Sequence, residues 1–372
     1  MNKLFRLVDF GRLEDSRGMA DKLKLFLVRE DISIKDAMRQ MDKSGEKILF
    51  VADADNIILG VVTDGDVRRW ILKGRSLSED VAKAMNRNPI FVEEGYSKEK
   101  AENLMVSQRI ECVPVVDENK RIVSAIRWTD LFGNKFRKHE ALNVPVVIMA
   151  GGKGSSLNPI NKVLPKPLVP VGDKPMMELI IDRFVEYECK EFYLSVNYKS
   201  NMIKAYFSDF EHSYKINYIQ EERPLGTAGS LHLLKDKIKS TFYLSNCDTL
   251  IEADYADILR FHRKSENKIT LVGSVKHYPI PYGICEIEEG GSLKGFKEKP
   301  EYGFLVSTGM YVLEPEILKD IPKNKLYNMT DLINNYVEKG ERMGVYPISE
   351  KSWLDMGQWE ELQETIKSFG VE

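Results

Sequence analysis

A glycine-rich turn followed by a lysine held between two prolines is the pattern with the most chemical content in this chain. Residues 146–168 read VVIMAGGKGSSLNPINKVLPKPL. An apolar run reaching Ala150 gives way to Gly151, Gly152, Lys153 and Gly154, then to Ser155 and Ser156, and the stretch closes on Pro165-Lys166-Pro167. Glycines just past a strand let bare backbone N–H groups approach a polyphosphate, and Lys166 sets a point charge beside them. The run predicts a nucleoside triphosphate cradle at the carboxyl edge of an open sheet. Two other glycine motifs are excluded. The dinucleotide fingerprint G-x-G-x-x-G fails because Leu157 holds the third glycine's place, and no stretch fits G-x-x-x-x-G-K-[ST].

The elements that must position this turn follow from hydrophobic pattern. Strands are predicted at Val144–Met149 (broken by Pro145), Phe192–Val196, Ile216–Ile219, Phe242–Leu244 and Ile269–Val275. Helices are predicted at Met176–Tyr187, Thr227–Leu234 and Asp254–Lys264. Strands alternating with helices imply an α/β sheet covered on both faces, with ligands at the carboxyl ends of its strands.

Length and composition set the outer bounds. At 372 residues the chain is too long for one ordinary domain. A net charge of −3 offers no basic field for nucleic acid. The cysteines (Cys112, Cys189, Cys247, Cys285) lack C-x-x-C spacing, and the histidines include no H-x-x-x-H pair, so neither a disulfide framework nor a zinc site is expected. No apolar run approaches a membrane span and the first residues lack a signal-type apolar core, which predicts a soluble, cytoplasmic protein.

Ahead of the glycine turn lies an internal repeat. ILFVADADNIILGVVTDGD (48–66) and CVPVVDENKRIVSAIRWTD (112–130) superpose at an offset of 64. Each has an apolar strand, an Asp-rich turn (Asp53, Asp117), a second apolar strand and a closing Asp (Asp66, Asp130), and each follows an amphipathic helix (Ile34–Met41, Lys98–Val106). Two such copies suggest a pseudo-symmetric α+β pair. The element Gly60-Val61-Val62-Thr63-Asp64-Gly65-Asp66 resembles the G-x-x-[TS]-x-x-D signature of the cystathionine-β-synthase-type (CBS) domain pair, a resemblance covering residues 24–132. It implies a regulatory cleft for an adenine nucleotide, with Thr63 on phosphate or ribose hydroxyls and Asp66 on the ribose diol. In the second copy Ser124 and Arg127 replace the Gly and Thr while Asp130 is kept, which implies one competent cleft. A module that only dimerises or packs on its neighbour is the alternative. The expected division is a lead segment at 1–23, the pair at 24–132, a charged linker at 133–143 and a second domain at 144–372.

The second domain resembles the sugar-1-phosphate nucleotidyltransferases, and six elements occur in that family's order. They are the run from Gly151 to Lys166, then Pro224-Leu225-Gly226-Thr227-Ala228-Gly229-Ser230, and then Asn246-Cys247-Asp248. Tyr282-Gly283, Glu298-Lys299-Pro300 and Trp353-Leu354-Asp355-Met356-Gly357 follow. The resemblance implies a Rossmann-like mixed sheet of the GT-A type with helices on both faces. It implies nucleotide contacts from Ala150, Gly151, Gly152, Gly154, Ser155, Ser156, Gly226, Thr227, Ala228 and Gly229, and sugar contacts from Gly283, Glu298, Lys299 and Thr308. Asp248 and Asp355 would hold Mg²⁺, which suits one or two hard carboxylate oxygens. Lys166 would steady the reacting phosphates and Lys299 would clamp the sugar phosphate.

The implied reaction is attack by a sugar-1-phosphate oxygen on the α-phosphorus of a nucleoside triphosphate, with loss of pyrophosphate. Charge neutralisation and alignment are its needs, and no acid–base pair is required because the nucleophile is already ionised. A CBS pair fused ahead of such a domain is similar to the guanylyltransferases that activate glucosamine-1-phosphate for bacterial nonulosonate (legionaminic acid) sugars, so GTP and glucosamine-1-phosphate are favoured. Mannose-1-phosphate and other sugar phosphates stay open, as does a catalytically impaired nucleotide-sugar sensor. A homo-oligomer, dimer or tetramer, is expected; no nucleic acid or membrane partner is. Two departures stand out: Ser156 replaces the family's Arg and Asn161 its Thr, with Lys153 or Lys162 as neighbouring sources of charge. Ser307 also replaces an Asn before Thr308-Gly309.

Overall fold

The structure is a computed structural model that describes residues 23–108, 110–132, 139–209, 211–358, 362–363 and 365–366. The lead segment up to 22, residues 133–138 of the expected linker and the last residues of the second domain lie outside the described residues. The chain divides into two compact units, 1–137 and 138–372.

The first unit shows why the repeat reads as it does. Strands β1 (Leu27–Arg29), β2 (Ile48–Ala52) and β3 (Ile58–Thr63) form one sheet, and β4 (Val92–Glu93), β5 (Cys112–Val116) and β6 (Ile122–Arg127) form another of the same design. In each, a parallel pair is extended by an antiparallel hairpin. The hairpin turns are copies of one another. Asp53 Oδ1 accepts the N–H groups of Asp55 and Ile57, and Asp117 Oδ1 accepts those of Asn119 and Arg121. Asn56 and Lys120 both sit in the left-handed region, at φ 61° and 60°. These two turns also join the sheets. Ile58 N–H donates to the Lys120 carbonyl and Ile122 N–H to the Asn56 carbonyl, each at 3.0 Å. The bonds exchange under the 64-residue offset, so the unit has a pseudo-two-fold axis between its copies.

In the second unit, seven strands form one mixed sheet: β7 (Val146–Ala150), β10 (Glu191–Val196), β11 (Lys215–Gln220), β12 (Phe242–Asn246), β14 (Ile269–Pro279), β17 (Glu301–Leu313) and β18 (Met343–Ile348). The spatial order is β11-β10-β7-β12-β17-β14-β18, and β17 alone runs against its neighbours. Small two-stranded pairings flank it: β8 (Pro170–Val171) with β9 (Lys174–Pro175), β13 (Thr249–Ile251) with β19 (Trp353–Asp355), and β15 (Ile284–Ile287) with β16 (Leu293–Lys297).

The sheet is buried on both faces, and alternation along β7 shows it. Val146, Ile148 and Ala150 enter a core with the helix Met176–Val185, the helix Ser200–Ser208 and the helix Tyr255–Lys264. Val147 enters a second core with Ala228, Leu231, Ile317, Met329 and Leu332. A strand apolar on both sides is what a helix-covered parallel sheet requires.

Within the first core Phe184, Tyr187, Tyr243 and Tyr255 make ring contacts with centroids 4.7–5.9 Å apart. Such pairs contribute about 0.5–1.5 kcal/mol each beyond burial. Their hydroxyls tie the cluster to backbone: Tyr187 donates to the Ala253 carbonyl, Tyr243 to that of Tyr255, and Tyr255 to that of Ile251. The last bond anchors β13, the strand directly after Asp248. Residues 139–143, expected as linker, lie against the second unit. His139 stacks on Tyr187 at 4.1 Å and Leu142 N–H donates to the Tyr187 carbonyl.

Candidate functional site

The glycine turn leaves the carboxyl end of β7, beside β10 and β12, and its three glycines do different work. A Cβ on Gly151 would stand 2.5 Å from Glu221 Oε1, and one on Gly154 would stand 2.7 Å from Lys166 Cβ, so both are places of close approach. Gly154 also has φ +66°, which a side chain adopts only under strain. Gly152 is exposed with nothing near it, and there the cradle is open. Asn161, the departure from Thr, is buried and donates through Nδ2 to the carbonyls of Lys153 (3.1 Å) and Gly154 (2.9 Å). A second brace comes from the end of β10, where Lys199 Nζ donates to the carbonyls of Lys162 and Val163.

Lys166, Asp248 and Asp355 converge although sequence holds them far apart. Asp248 follows β12. The pairing of β13 with β19 sets Thr249 opposite Asp355, and Met356 N–H donates to the Asp248 carbonyl at 2.9 Å, which brings the two acids to one spot. That spot is Gly357: a Cβ there would meet Asp248 Oδ2 and Asp355 Oδ1 at 2.8 Å each and Lys166 Nζ at 3.3 Å. Lys166 Nζ donates to Asp248 Oδ2, and to the Gly357 carbonyl at 3.2 Å. Ser156 Oγ donates to the same carbonyl at 2.6 Å. Side-chain exposures of 12% for Lys166 and 18% for Asp248 leave the cluster half-enclosed at the sheet edge. Two hard oxygen donors around one point, with an ammonium already drawn to them, fit a divalent cation. Thiol chemistry is disfavoured here, since burial, reinforced by the Asp248 charge, pushes the Cys247 thiol up to about 12.

The expected nucleotide loop takes another form. Residues 227–234, predicted as one helix, make a short turn of helix (Gly226–Gly229) and a 3₁₀ turn (Ser230–Leu234). The N–H groups of Ala228 and Gly229 donate to the Tyr327 carbonyl, Thr227 N–H donates to Asn328 Oδ1, and Met329 N–H donates to Thr227 Oγ1. A Cβ on Gly226 or Gly229 would strike the Tyr327 or Lys325 carbonyl at 2.7 Å. These glycines therefore serve close packing against 325–329, and the loop amides are already satisfied.

The sugar-side residues separate into two groups. Gly283 and Glu298 are neighbours: a Cβ on Gly283 would meet the Phe296 ring at 2.3 Å and Glu298 Oε2 at 3.1 Å. Glu298 and Lys299 are exposed beside the β15–β16 hairpin, neither forms an ion pair among the described residues, and Lys299 is held at φ +41°. Thr308, the remaining expected sugar contact, belongs to β17. It is buried, its hydroxyl donates to the Val272 carbonyl at 2.9 Å, and its own carbonyl accepts from Thr249 Oγ1. Ser307 Oγ pairs with the Tyr311 hydroxyl.

In the first unit, Thr63 and Asp66 form the capping box of the helix Asp64–Leu72. Asp66 Oδ2 accepts Thr63 N–H and its hydroxyl, and Arg69 pairs with Oδ1. Asp130 likewise accepts Arg127 N–H and its guanidinium. Residues expected to hold a nucleotide are first of all helix caps. Sequence reading missed Glu221, a buried carboxylate at the end of β11 that accepts from Ser195 Oγ (2.6 Å) and Leu225 N–H (3.2 Å) and abuts Gly151. An acid closing an apolar strand was the available signal.

A glycine turn, a lysine and two acids thus meet at the carboxyl edge of a mixed α/β sheet. The family described as nucleotidyl transferase matches residues 145–369, and the chain belongs to it. CBS domains match at 20–73 and 79–147. The chain is 30% identical over 227 residues to a mannose-1-phosphate guanyltransferase of Yarrowia lipolytica, covering 57% of this chain and 60% of that one. It is 34% identical over 184 residues to a probable mannose-1-phosphate guanylyltransferase of Oryza sativa (47% and 51%). To the D-glycero-alpha-D-manno-heptose 1-phosphate guanylyltransferase of Campylobacter jejuni it is 30% identical over 214 residues (57% and 93%). It thus spans only half to three fifths of the mannose-1-phosphate relatives it matches. Among solved structures, HddC from Yersinia pseudotuberculosis is 23% identical with a TM-score of 0.48, over 61% of this chain and 99% of that one. Among the described residues no helix is long and apolar enough to cross a membrane.

Proposed function

We propose that the second unit transfers a guanylyl group from GTP to a sugar-1-phosphate, with Mg²⁺ held by Asp248 and Asp355. The observation that carries this is the meeting of Lys166, Asp248 and Asp355 around Gly357 beside an open glycine turn. A sugar-phosphate oxygen forms the new bond to the α-phosphorus, the bridging bond to the β-phosphate breaks, and its electron pair leaves on pyrophosphate. No proton need move. The bound cation would supply charge neutralisation for the phosphates. Lys166 adds a further positive charge from the cradle side, and the turn at Gly152 admits the phosphate backbone. Lys299, exposed and without an ion pair among the described residues, would meet the sugar phosphate, while Glu298 would accept from sugar hydroxyls. Lys153 and Lys162 supply charge where Ser156 stands in place of an arginine, although a point charge lacks a guanidinium's fork.

The preference for guanine rests on Glu221. Its oxygens hold two donors and keep acceptor capacity. Guanine presents two adjacent donors, N1–H and the 2-amino group, on a single edge. The names of the relatives support the same base. For the sugar, the two-part arrangement favours glucosamine-1-phosphate, whereas the relatives carry mannose- and heptose-1-phosphate names. The first unit, in this reading, is a regulatory pair for an adenine nucleotide.

Pyrophosphate release, measured over a panel of nucleoside triphosphates and sugar-1-phosphates with Mg²⁺, tests the proposal. Turnover with GTP and one of these three sugar phosphates is expected. No turnover with any pair, alongside tight nucleotide-sugar binding, would replace it with the sensor reading that the missing arginine at Ser156 favours.

A further inference from the structure

We propose that the Lys166 ammonium is the resident counter-ion of the metal site, and that a divalent cation enters by displacing it from Asp248 toward the glycine turn. The proposal rests on reading Asp248 and Asp355 as the metal ligands. Two carboxylates at one half-buried spot repel each other and need positive charge. In this structure Lys166 provides it, with Nζ on Asp248 Oδ2 and on the Gly357 carbonyl.

A dication needs that same carboxylate oxygen and is repelled by an ammonium sharing it. Its arrival and the departure of Lys166 are therefore one event. The lysine has somewhere to go. Its stem lies across the cradle, with Cβ and Cδ at 2.7 and 3.2 Å from where a Cβ on Gly154 would stand, so rotation about the outer side-chain bonds carries Nζ from the acids toward bound phosphate without moving backbone. Phosphate in the cradle should then strengthen metal binding by drawing the ammonium away, and metal should strengthen phosphate binding in equal measure.

The test is titration of Mn²⁺ into the full chain without nucleotide, followed by electron paramagnetic resonance of the free ion. Lys166→Met should bind Mn²⁺ about tenfold more tightly than wild type or Lys166→Arg, a size typical of coupled sites. Lys166→Gln, which keeps a donor for Gly357, provides the same reading should the methionine variant fold poorly. Lys190→Met, which removes an exposed lysine just ahead of β10 at the amino end of the parallel strands, away from the site, should leave the affinity unchanged. Unchanged or weaker binding in both Lys166→Met and Lys166→Gln, with Asp355→Asn still lowering it, would overturn the counter-ion proposal alone. Mn²⁺ binding indifferent to both Asp248→Asn and Asp355→Asn, even with a non-hydrolysable GTP analogue present, would overturn the metal-site reading beneath it.

Discussion

Ser156 Oγ and the carbonyl oxygen of Gly357 are 2.6 Å apart although 201 positions separate them in sequence. The contact fastens the glycine turn to the segment carrying Asp355, so Ser156 has a constructive role where the family carries a charged side chain. Ser156→Ala should lower kcat/KM about three- to tenfold, the worth of one ordinary hydrogen bond, with little change in melting temperature. Ser156→Arg gains a guanidinium but loses the short bond. Steady-state kinetics on both variants check this, and an alanine variant at wild-type efficiency would show that the latch is idle.

Gly357 has no room for a side chain. Gly357→Ala would set a methyl 2.8 Å from both Asp248 Oδ2 and Asp355 Oδ1 and push the acids apart. Displacement of that kind costs on the order of 10²-fold in turnover. The fold should survive, because Gly357 is not among the residues at positive φ. Circular dichroism together with pyrophosphate release separates the two effects.

Strands β7, β10, β11, β12 and β14 and the helices Met176–Val185 and Tyr255–Lys264 were legible because a helix-covered sheet needs continuous apolar runs, and residues such as Val146–Ile148 supply them; β18 and the helices Ser200–Ser208 and Met329–Glu338 were not. β17 and the β15–β16 hairpin were not, since Ile287, Leu293, Phe296 and Phe304 lie exposed and carry no burial pattern. In the site, residue types and their order pointed to Lys166, Asp248 and Asp355. What a linear reading could not give is where each polar atom is already engaged. Thr308 faces Val272, the amides after Gly226 face Tyr327, and Asp66 caps its own helix. These engagements depend on which face of a strand or turn a group occupies, and long-range packing decides that.

His262 makes stability of the second unit depend on pH. It is fully buried, facing Thr270 through Nδ1 and Glu314 through Nε2, with Asn267 on the same threonine and Arg263 adding like charge. Burial holds its pKa below the ordinary histidine value of 6.5. The unfolded chain therefore takes up the proton first as pH falls, and stability that is complete above the unfolded value declines below it. Thermal melts should show a midpoint dropping as pH falls from about 6.5, the unfolded-state value. His262→Gln should flatten that slope, and an equally steep slope in the variant would assign the effect to other groups.

Asp66→Ala removes half of a capping box and should lower the first unit's stability by about 1 kcal/mol. Calorimetry with AMP and ATP on this variant addresses the adenine-nucleotide cleft. Loss of heat is expected, with differential scanning confirming that the unit remains folded at the assay temperature. Heat that survives unchanged would place the ligand away from Thr63 and Asp66.

The pairing of Thr249 with Asp355 carries a consequence for how the protein is made. Synthesis supplies the glycine turn, Lys166 and Asp248 before β19, but the carbonyl that Lys166 and Ser156 share comes 191 positions after that lysine, with the second acid just ahead of it. A ribosome that has released most of the sheet still holds a chain with one acid and no anchor for Ser156. The cluster of Lys166, Asp248 and Asp355 therefore forms only after β19 has left the ribosome, and a nascent chain halted before β19 lacks it.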